Sequence, residues 1–461
     1  MTAPFKVDLD PVILDICRKL QQADGTAYLV GGCVRDMALG LIPKDFDIEV
    51  YGLDIESLQN ALSELGRCEQ VGRSFGVIKL WSHGHEIDIA LPRKERKAGA
   101  GHRGFDVQLD PHLDPEEASS RRDFTINAMM FDPCEGVLLD FHGGMADLES
   151  HMLRHISPAF VEDPLRVLRA MQFASRFKLQ LDAQTALLCQ ALKQEADTLA
   201  IERVWVEWRK WAEGEYPSYG LKVLEESGWI ELYPELAALI DCPQEPKWHP
   251  EGDVWTHTCL VVDGSARIAS QYGWKSERRW QLLFAALAHD MGKPVTTHTD
   301  EKGRIRSTEH SLKGIGPALD FMQRIGAPAS LIQYLPPLVK EHLTHMHGEP
   351  TERAVRRLSA RLEPADIEMW EALVEADASG RSPIPPSRPA LPWLEKAQAM
   401  QHHQGKPKAI VTGDMLMKLG VKPGPQMGAI IAAAYEAQLD GKIHDAESAI
   451  SWCKKFMDEL Q

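Results

Sequence analysis

The chain has 461 residues and a mass of 51.6 kDa, too long for one compact domain and enough for roughly two to four. Hydrophobic residues make up 44% and charged residues 26%, ordinary globular proportions that exclude a largely disordered or fibrous protein. The 51 basic and 67 acidic residues leave a formal charge of −16, which excludes attachment to nucleic acid by bulk charge alone while leaving room for local basic patches.

In chain order, PVILDICRKLQQA (11–23) carries apolar positions at helical spacing and predicts a lead-in helix. AYLVGG (27–32) predicts a short buried strand entering a Gly-Gly turn, VRDMALG a helix, and DFDIEVYG (45–52) a second strand. IESLQNALSELG predicts another helix, and FGVIKLWSHGHEIDIALPR a strand hairpin broken at Ser82 to Gly84. This alternation, to about residue 150, predicts an α/β domain. From about 155 to 240 the pattern turns helical, and histidines crowd between 249 and 347. SPIPPSRPALPW (382–393) reads as a stiff linker, followed by a short helical tail containing VTGDMLMKLGVKPGPQMGAII. The divisions expected are therefore 1–150, 151–240, 241–381, 382–393 and 394–461. No run of eighteen apolar residues occurs, so no membrane span is expected. The N-terminus lacks the basic start and apolar run of a secretory signal. Eight scattered cysteines without a CxxC pair argue against a zinc ribbon or disulfide framework and fit a reducing cytoplasm.

The sharpest local feature is LVGGCVRDMALG followed by KDFDIEV. Asp45 and Asp47, two apart on a strand, leave the same face. Carboxylates that close repel unless a divalent cation lies between them. Gly31 and Gly32 permit a backbone turn that can approach a triphosphate, with helix N–H groups following. Asp88, in HEIDIAL on a neighbouring strand, is a candidate third carboxylate. Together these suit Mg²⁺-dependent nucleotidyl transfer. Taken alone, the same DxD fits a solvated strand edge. The rest of the set decides: RRDFTINAMMFD (121–132), DFHGGMADL (140–148), EDPLRVLRAMQFASRF (162–177) and ERVWVE (202–207).

GGCVRD, DFD, RRDFTINA, DFHGGMADL, EDPLR and ERVW, in that order, resemble class II tRNA nucleotidyltransferases, the family of CCA-adding enzymes and bacterial poly(A) polymerases, over about residues 27 to 240. The resemblance implies a polymerase-beta-like α/β head followed by a mostly helical neck and body. It implies that Asp45 and Asp47 hold catalytic Mg²⁺, that Gly32 and Arg35 contact the incoming triphosphate, and that Arg122, Asp123 and Asn127 recognise ribose and phosphates. Arg169 is grouped with these nucleotide-binding residues. Asp163 and Arg166 would form a protein template that reads the base. A carboxylate accepts from the exocyclic amine of cytosine or adenine, while guanidinium donates to a neighbouring ring nitrogen or carbonyl. Uracil and guanine reverse that pattern and would be repelled. The bland alternative is an exposed helix ion pair between Asp163 and Arg166. One departure is Gln172, where the family usually has an arginine on the expected triphosphate wall. PRKERKAGAGHRGF (92–105) stands where the family has a flexible loop that helps switch from C to A addition.

Further on, FAALAHDMGKP places His289 and Asp290 at the end of an apolar helix. His257, His310, His342 and Asp377 stand on other segments. Imidazole and carboxylate ligands on separate helices suit one or two divalent transition-metal ions, their identity open, that activate water against a phosphoester. The ensemble resembles the HD phosphohydrolase superfamily, which some CCA-adding enzymes carry fused behind the transferase, followed by a tail like the one at 408 to 440. In such relatives it cleaves phosphomonoesters and 2′,3′-cyclic phosphates, implying a role in RNA end repair.

The leading expectation is thus a cytoplasmic enzyme acting on tRNA with CTP and ATP, adding C, C and A without a nucleic-acid template. A-only or CC-only addition, poly(A) synthesis, and a phosphohydrolase whose transferase half only holds RNA remain alternatives. Sequence does not give the oligomeric state.

Overall fold

The structure is a computed structural model describing residues 2–5, 7–71, 76–97, 105–381 and 388–459. It divides into two compact units, Met1–Glu207 with Tyr219–Trp229, and Trp208–Ser218 with Ile230–Gln461.

The first unit is built on an eight-stranded mixed sheet. Its chain contributes β1 (Thr2–Pro4), β2 (Thr26–Val30), β3 (Phe46–Tyr51), β4 (Arg67–Val71), β5 (Val77–Ser82) and β6 (His85–Ala90). There follow β7 (Arg93–Lys97), β8 (Phe105–Leu109), β9 (Met130–Asp132) and β10 (Val137–Leu139). The sheet order is β1-β10-β9-β2-β3-β6-β5-β4, with β7 and β8 forming a separate ribbon. β3 and β6 are parallel, and Asp47 stands opposite Asp88 in their register. Side chains at matched positions of parallel strands leave the same face, so the fold puts these two carboxylates side by side. β5 turns into β6 through His83 and Gly84, both at positive φ, the conformation a two-residue hairpin requires. The lead-in helix Pro11–Gln22 starts at Asp10, whose side chain accepts from the Val12 N–H, and buries Ile13, Ile16, Cys17 and Leu20.

Behind the sheet, the helix Leu165–Phe177 buries most of one face, Val167, Leu168 and Met171 included. It packs through aromatic edges, with Phe124 against both Phe160 and Phe173. Part of the 92–105 segment, residues 98–104, lies outside the described residues.

The second unit is helical. Val254–Gln271, Ser276–Ala288, Ala329–Glu341 and Ile367–Ser379 surround a core that takes in Trp370, Phe284 and Phe321. Trp208 meets Trp211, Tyr233 and Phe321 edge-on at 5.2–5.3 Å, a geometry favoured by ring quadrupoles. Asp253 and Asp366 cap two of these helices by accepting from the Thr256 and Met369 N–H groups. Of the Pro-rich stretch, 382–387 fall outside the described residues, and Leu391–Ala399 is a helix whose Trp393 packs on Trp370. The last three helices, Gly413–Lys418, Pro425–Leu439 and Ala446–Glu459, enclose their own apolar cluster around Leu416, Ile430 and Cys453. Among the described residues no helix is long and apolar enough to cross a membrane.

Candidate functional site

In the first unit, one cavity of about 390 Å³ gathers ten of the residues singled out above: Gly31, Gly32, Arg35, Asp47, Arg122, Asp123, and, across from them, Asn127, Asp163, Arg166 and Arg169. Arg121, Leu165, Phe173 and Arg203 complete its wall. Six arginines face three aspartates there, in a chain whose net charge is −16. That local excess suits a polyanion.

The wall is held by a continuous network. Arg35 is buried, donates from Nη1 to the Asn127 Oδ1 at 2.7 Å and from Nε to Asp36 at 2.9 Å, and lies over the Phe177 ring. Asn127 donates to Asp123 at 3.0 Å, and Arg169 donates to the same aspartate at 2.7 Å. Burial opposes ionisation of Asp123, but Arg169 and the Asn127 hydrogen bond outweigh it and hold its carboxyl below the usual range. Gly31 sits at φ +75°, and a Cβ there would lie 2.7 Å from the Arg122 Nη1. That left-handed backbone favours glycine, which alone adopts it without strain.

On β3, Glu49 is buried and accepts from Arg121 at 2.9 Å and from the Tyr51 hydroxyl at 3.1 Å. Sequence reasoning passed over it, although it alternates with Asp45 and Asp47.

Asp163 and Arg166 do not pair with each other. Asp163 receives the Arg203 guanidinium at 3.0 Å. Arg166 donates to the Ala159 carbonyl and to the Arg121 carbonyl, each at 2.8 Å. The exposed helix ion pair is thereby set aside. The two terminal nitrogens of Arg166 each keep a second N–H, and Asp163, which also accepts from the Leu165 N–H at 3.0 Å, keeps free lone pairs. Arg203 belongs to the ERVW motif but was given no role there. Gln172, the departure noted in the sequence, is 1% exposed and lies outside the cavity lining.

Asp45, exposed, immediately precedes β3, and neither it nor Asp88 lines the cavity. Among the described residues these three carboxylates do not form a cluster of ligand atoms within 4.8 Å. Like charges spread apart, and Lys79 stands 3.7 Å from Asp88. The residues nevertheless fit a divalent cation. The Asp88 Oδ1 is buried without a hydrogen-bond partner. Desolvation, then Asp88 and Asp45 against the pull of Arg122, raise the Asp47 carboxyl above its ordinary value. A cation would relieve that crowding.

In the second unit, all six predicted residues converge. His257, His289 and Asp377 form one group of ligand atoms within 4.8 Å of one another, and Asp290, His310 and His342 form another. Asp290 joins them, with Oδ2 3.2 Å from the His289 Nε2 and Oδ1 3.3 Å from the His310 Nε2. The Nδ1 atoms of His289, His310 and His342 donate to the carbonyls of Ala286, Ser307 and Val339 at 2.6–2.7 Å. A carbonyl only accepts, so each Nε2 lone pair is turned inward. The Nε2 atoms of His310 and His342 then face each other at 3.3 Å, and the buried His289 Nε2 makes no hydrogen bond. This donor set would fit one or two divalent ions.

Gly292 makes the arrangement possible, since a Cβ there would lie 2.0 Å from the His310 carbonyl and 2.5 Å from the Gly314 nitrogen. The electrostatics match. Burial opposes a charge on His257, yet Asp377 and Glu251 offset it and push it up to about 9. Burial and neighbouring His289 push His342 down to about 3. Asp290 and Asp377 lie well below the carboxylate range despite burial, held there mainly by His289 and Lys293 and by His257 and Arg381.

Missed in the sequence were Glu251, whose Oε1 lies 2.8 Å from the His257 Nδ1, and His249, whose Nδ1 lies 2.8 Å from the same oxygen. Their WHPEGDVWTH spacing was the available signal. A cavity of about 360 Å³ opens onto this cluster.

Residues 27–154 match the Poly A polymerase head domain, and residues 254–370 match the HD domain. The Multifunctional CCA protein of Xanthomonas campestris pv. campestris (strain B100) is 36% identical over 419 residues, covering 88% of this chain and 96% of that protein. That of Stenotrophomonas maltophilia (strain K279a) is 38% identical over 365 residues, covering 77% and 86%. In fold, the chain is similar to the Bacillus stearothermophilus CCA-adding enzyme in complex with CTP, with a TM-score of 0.65 at 20% identity, covering 98% of this chain and 99% of that one. Identity of this level across nearly the whole length, together with both matched domains, makes this chain a member of the multifunctional CCA protein family, tRNA nucleotidyltransferases with a fused HD domain.

Proposed function

We propose that this protein adds C, C and A to the 3′ end of tRNA from CTP and ATP without a nucleic-acid template. The observation that carries the reading is the single cavity in which Asp163 and Arg166, unpaired with each other, stand beside Asp47 and an arginine wall. Asp163 accepts the exocyclic amine of cytosine or adenine, and Arg166 donates to the adjacent ring acceptor. Arg35, Arg122 and Arg169, with the backbone at Gly31 and Gly32, hold the triphosphate, and Asp123 and Asn127 fix the ribose side of that wall. Asp45 and Asp47, with Asp88 beside them, hold Mg²⁺. The ion, when bound, acidifies the attacking hydroxyl and neutralises the departing pyrophosphate. The working division is a head at 1–150, a neck and body at 151–240, an HD domain at 241–381, a linker at 382–393 and a tail at 394–461. The setting is cytoplasmic.

The test uses tRNA ending at the discriminator base, at CC or at CCA, with CTP, ATP or both, read at single-nucleotide resolution. Extension by three that then stops supports complete CCA addition. Growth only on CC ends, a stop after two, or long A tails moves the protein to the A-adding, CC-adding or poly(A) alternative.

A second reading is favoured by the two ligand groups joined through Asp290. The HD site hydrolyses phosphomonoesters and 2′,3′-cyclic phosphates at RNA ends, with His257, His289, Asp290, His310, His342 and Asp377 holding two divalent transition-metal ions. Lys293, 2.6 Å from the Asp290 Oδ2, keeps that carboxylate charged.

A further inference from the structure

The HD cavity has more recognition surface than a phosphate group can use. Its floor is the ligand set Asp290, His310, His342 and Asp377. Beside it stand Lys293, Arg306 and Arg381, enough positive charge for a phosphoester. The rest of the lining mixes polar groups, Gln244, Glu245, His249 and Ser307, with four apolar side chains. The apolar ones are Trp248, Ile305, Leu343 and Met346, and Trp248 and Met346 are 59% and 70% exposed.

This exposure is unusual within the chain. All twelve tryptophans lie within the described residues, and only Trp248 is exposed, while Trp208, Trp211, Trp229 and Trp370 are fully buried. Its backbone is fixed, because the Trp248 and His249 N–H groups both donate to the Glu245 carbonyl at 3.0 Å. Lys247 lies 5.1 Å from the centre of its ring. The backbone that carries the indole is therefore anchored, and the ring, open to solvent with a cation beside it, lines the same cavity as Asp290, His310, His342 and Asp377.

From this juxtaposition we infer that Trp248 is the base-binding residue of the HD cavity, the nucleobase of its phosphoester substrate stacking on the indole while the phosphate lies among Lys293, Arg306 and Arg381. Trp248 is thus a specificity-determining residue that makes hydrolysis depend on the base. Every base has a π face, so stacking admits all four without reading sequence, as cleaning of varied RNA ends requires. The cavity volume of about 360 Å³ falls in the range of roughly 300–1,000 Å³ typical of small-molecule sites. A flat apolar wall gives nothing to a small sugar phosphate, which would leave it wet.

The inference rests on the hydrolase reading, and its test separates the two. Adenosine 2′,3′-cyclic phosphate and the methyl riboside 2′,3′-cyclic phosphate, which lacks the base, are compared on wild type, Trp248→Phe and Trp248→Ala in the full-length protein. An RNA oligonucleotide ending in the same cyclic phosphate is the third substrate. Wild type should show a KM about ten-fold lower for the adenosine ester than for the base-free ester, the scale of one base stacked on an aromatic ring. Trp248→Ala should raise the adenosine KM about ten-fold with kcat unchanged and leave the base-free ester unaffected, and Trp248→Phe should retain most of the preference. The oligonucleotide should follow the adenosine ester.

Binding of adenosine 3′-phosphate, measured by equilibrium dialysis in EDTA, should weaken by the same factor in Trp248→Ala. Equal effects on both esters, or none on either, overturn the assignment. An unchanged preference on the oligonucleotide, with a change on the mononucleotide, also overturns it for RNA ends. If wild type cleaves none of the esters, the hydrolase reading falls and the dialysis alone decides whether Trp248 holds a base.

Discussion

Asp163 and Arg166 are positioned by their neighbours rather than by each other, and that fixes what single substitutions should do. Arg203 holds one oxygen of Asp163. In Arg203→Gln the carboxylate loses its charged anchor and gains rotational freedom at the base edge. CCA addition should then show KM values for CTP and ATP raised about ten-fold, the loss expected for one charge-assisted hydrogen bond of roughly 1.5 kcal/mol. UTP incorporation should become visible on a single-nucleotide gel; unchanged nucleotide choice would sink the template role.

Asp123 offers a pH test. Its folded-state carboxyl is held below its ordinary value of 3.8, so its ionised form stabilises the fold. That stabilisation is complete above the ordinary value and is lost as pH falls through the lower folded value. The apparent Tm gap between wild type and Asp123→Asn should be constant above about pH 5 and shrink below about pH 4. A gap that instead widens in acid would contradict the network. Motif order pointed to Asp123, Asp163 and Arg166. It said nothing about Arg203 or Glu49, whose roles come from side chains meeting across many residues of chain.

At the scale of elements, two close approaches decide the sites. The parallel pairing of β3 with β6 sets Asp47 opposite Asp88; a slip of one residue would turn Asp88 to the other face. The segment after His289 and Asp290 touches the one after His310, with Gly292 at the contact. Gly292→Ala forces backbone against backbone, which a core relieves only by shifting, at a cost of typically 1–3 kcal/mol. His310 should move away from Asp290 and His342. Metal content of the purified protein should fall by one ion per chain, with the His257–His289–Asp377 group still loaded. Full occupancy in Gly292→Ala would refute the contact's role. Hairpins and capped helices were readable because their signals lie within a few residues, as at His83 and Gly84 or Asp253. The eight-strand order was not, because pairing such as β9 with β2 depends on segments about 100 residues apart.

Across the whole molecule, the two sets of carboxylates and imidazoles lie in separate units of the chain. Asp45→Ala/Asp47→Ala should abolish nucleotide addition while sparing phosphoester hydrolysis, and His289→Ala/Asp290→Ala should do the reverse. Losing both activities with either pair would contradict two separate active sites. The net charge of −16 bears on binding. Affinity for tRNA should come from local arginine-rich surface and so fall steeply with added salt, as phosphate neutralisation demands. A salt-independent affinity would rule that mode out.

By itself the sequence determined the family and the order of α/β and helical parts, because motif spacing and hydrophobic period are local properties of the chain. Only the tertiary structure decided that Asp163 takes Arg203 rather than Arg166, that Gln172 turns inward, that Asp290 joins two groups of ligands, and that Trp248 stands open beside them. Those outcomes depend on which distant surfaces exclude water together, and packing of that kind is settled by the folded chain as a whole.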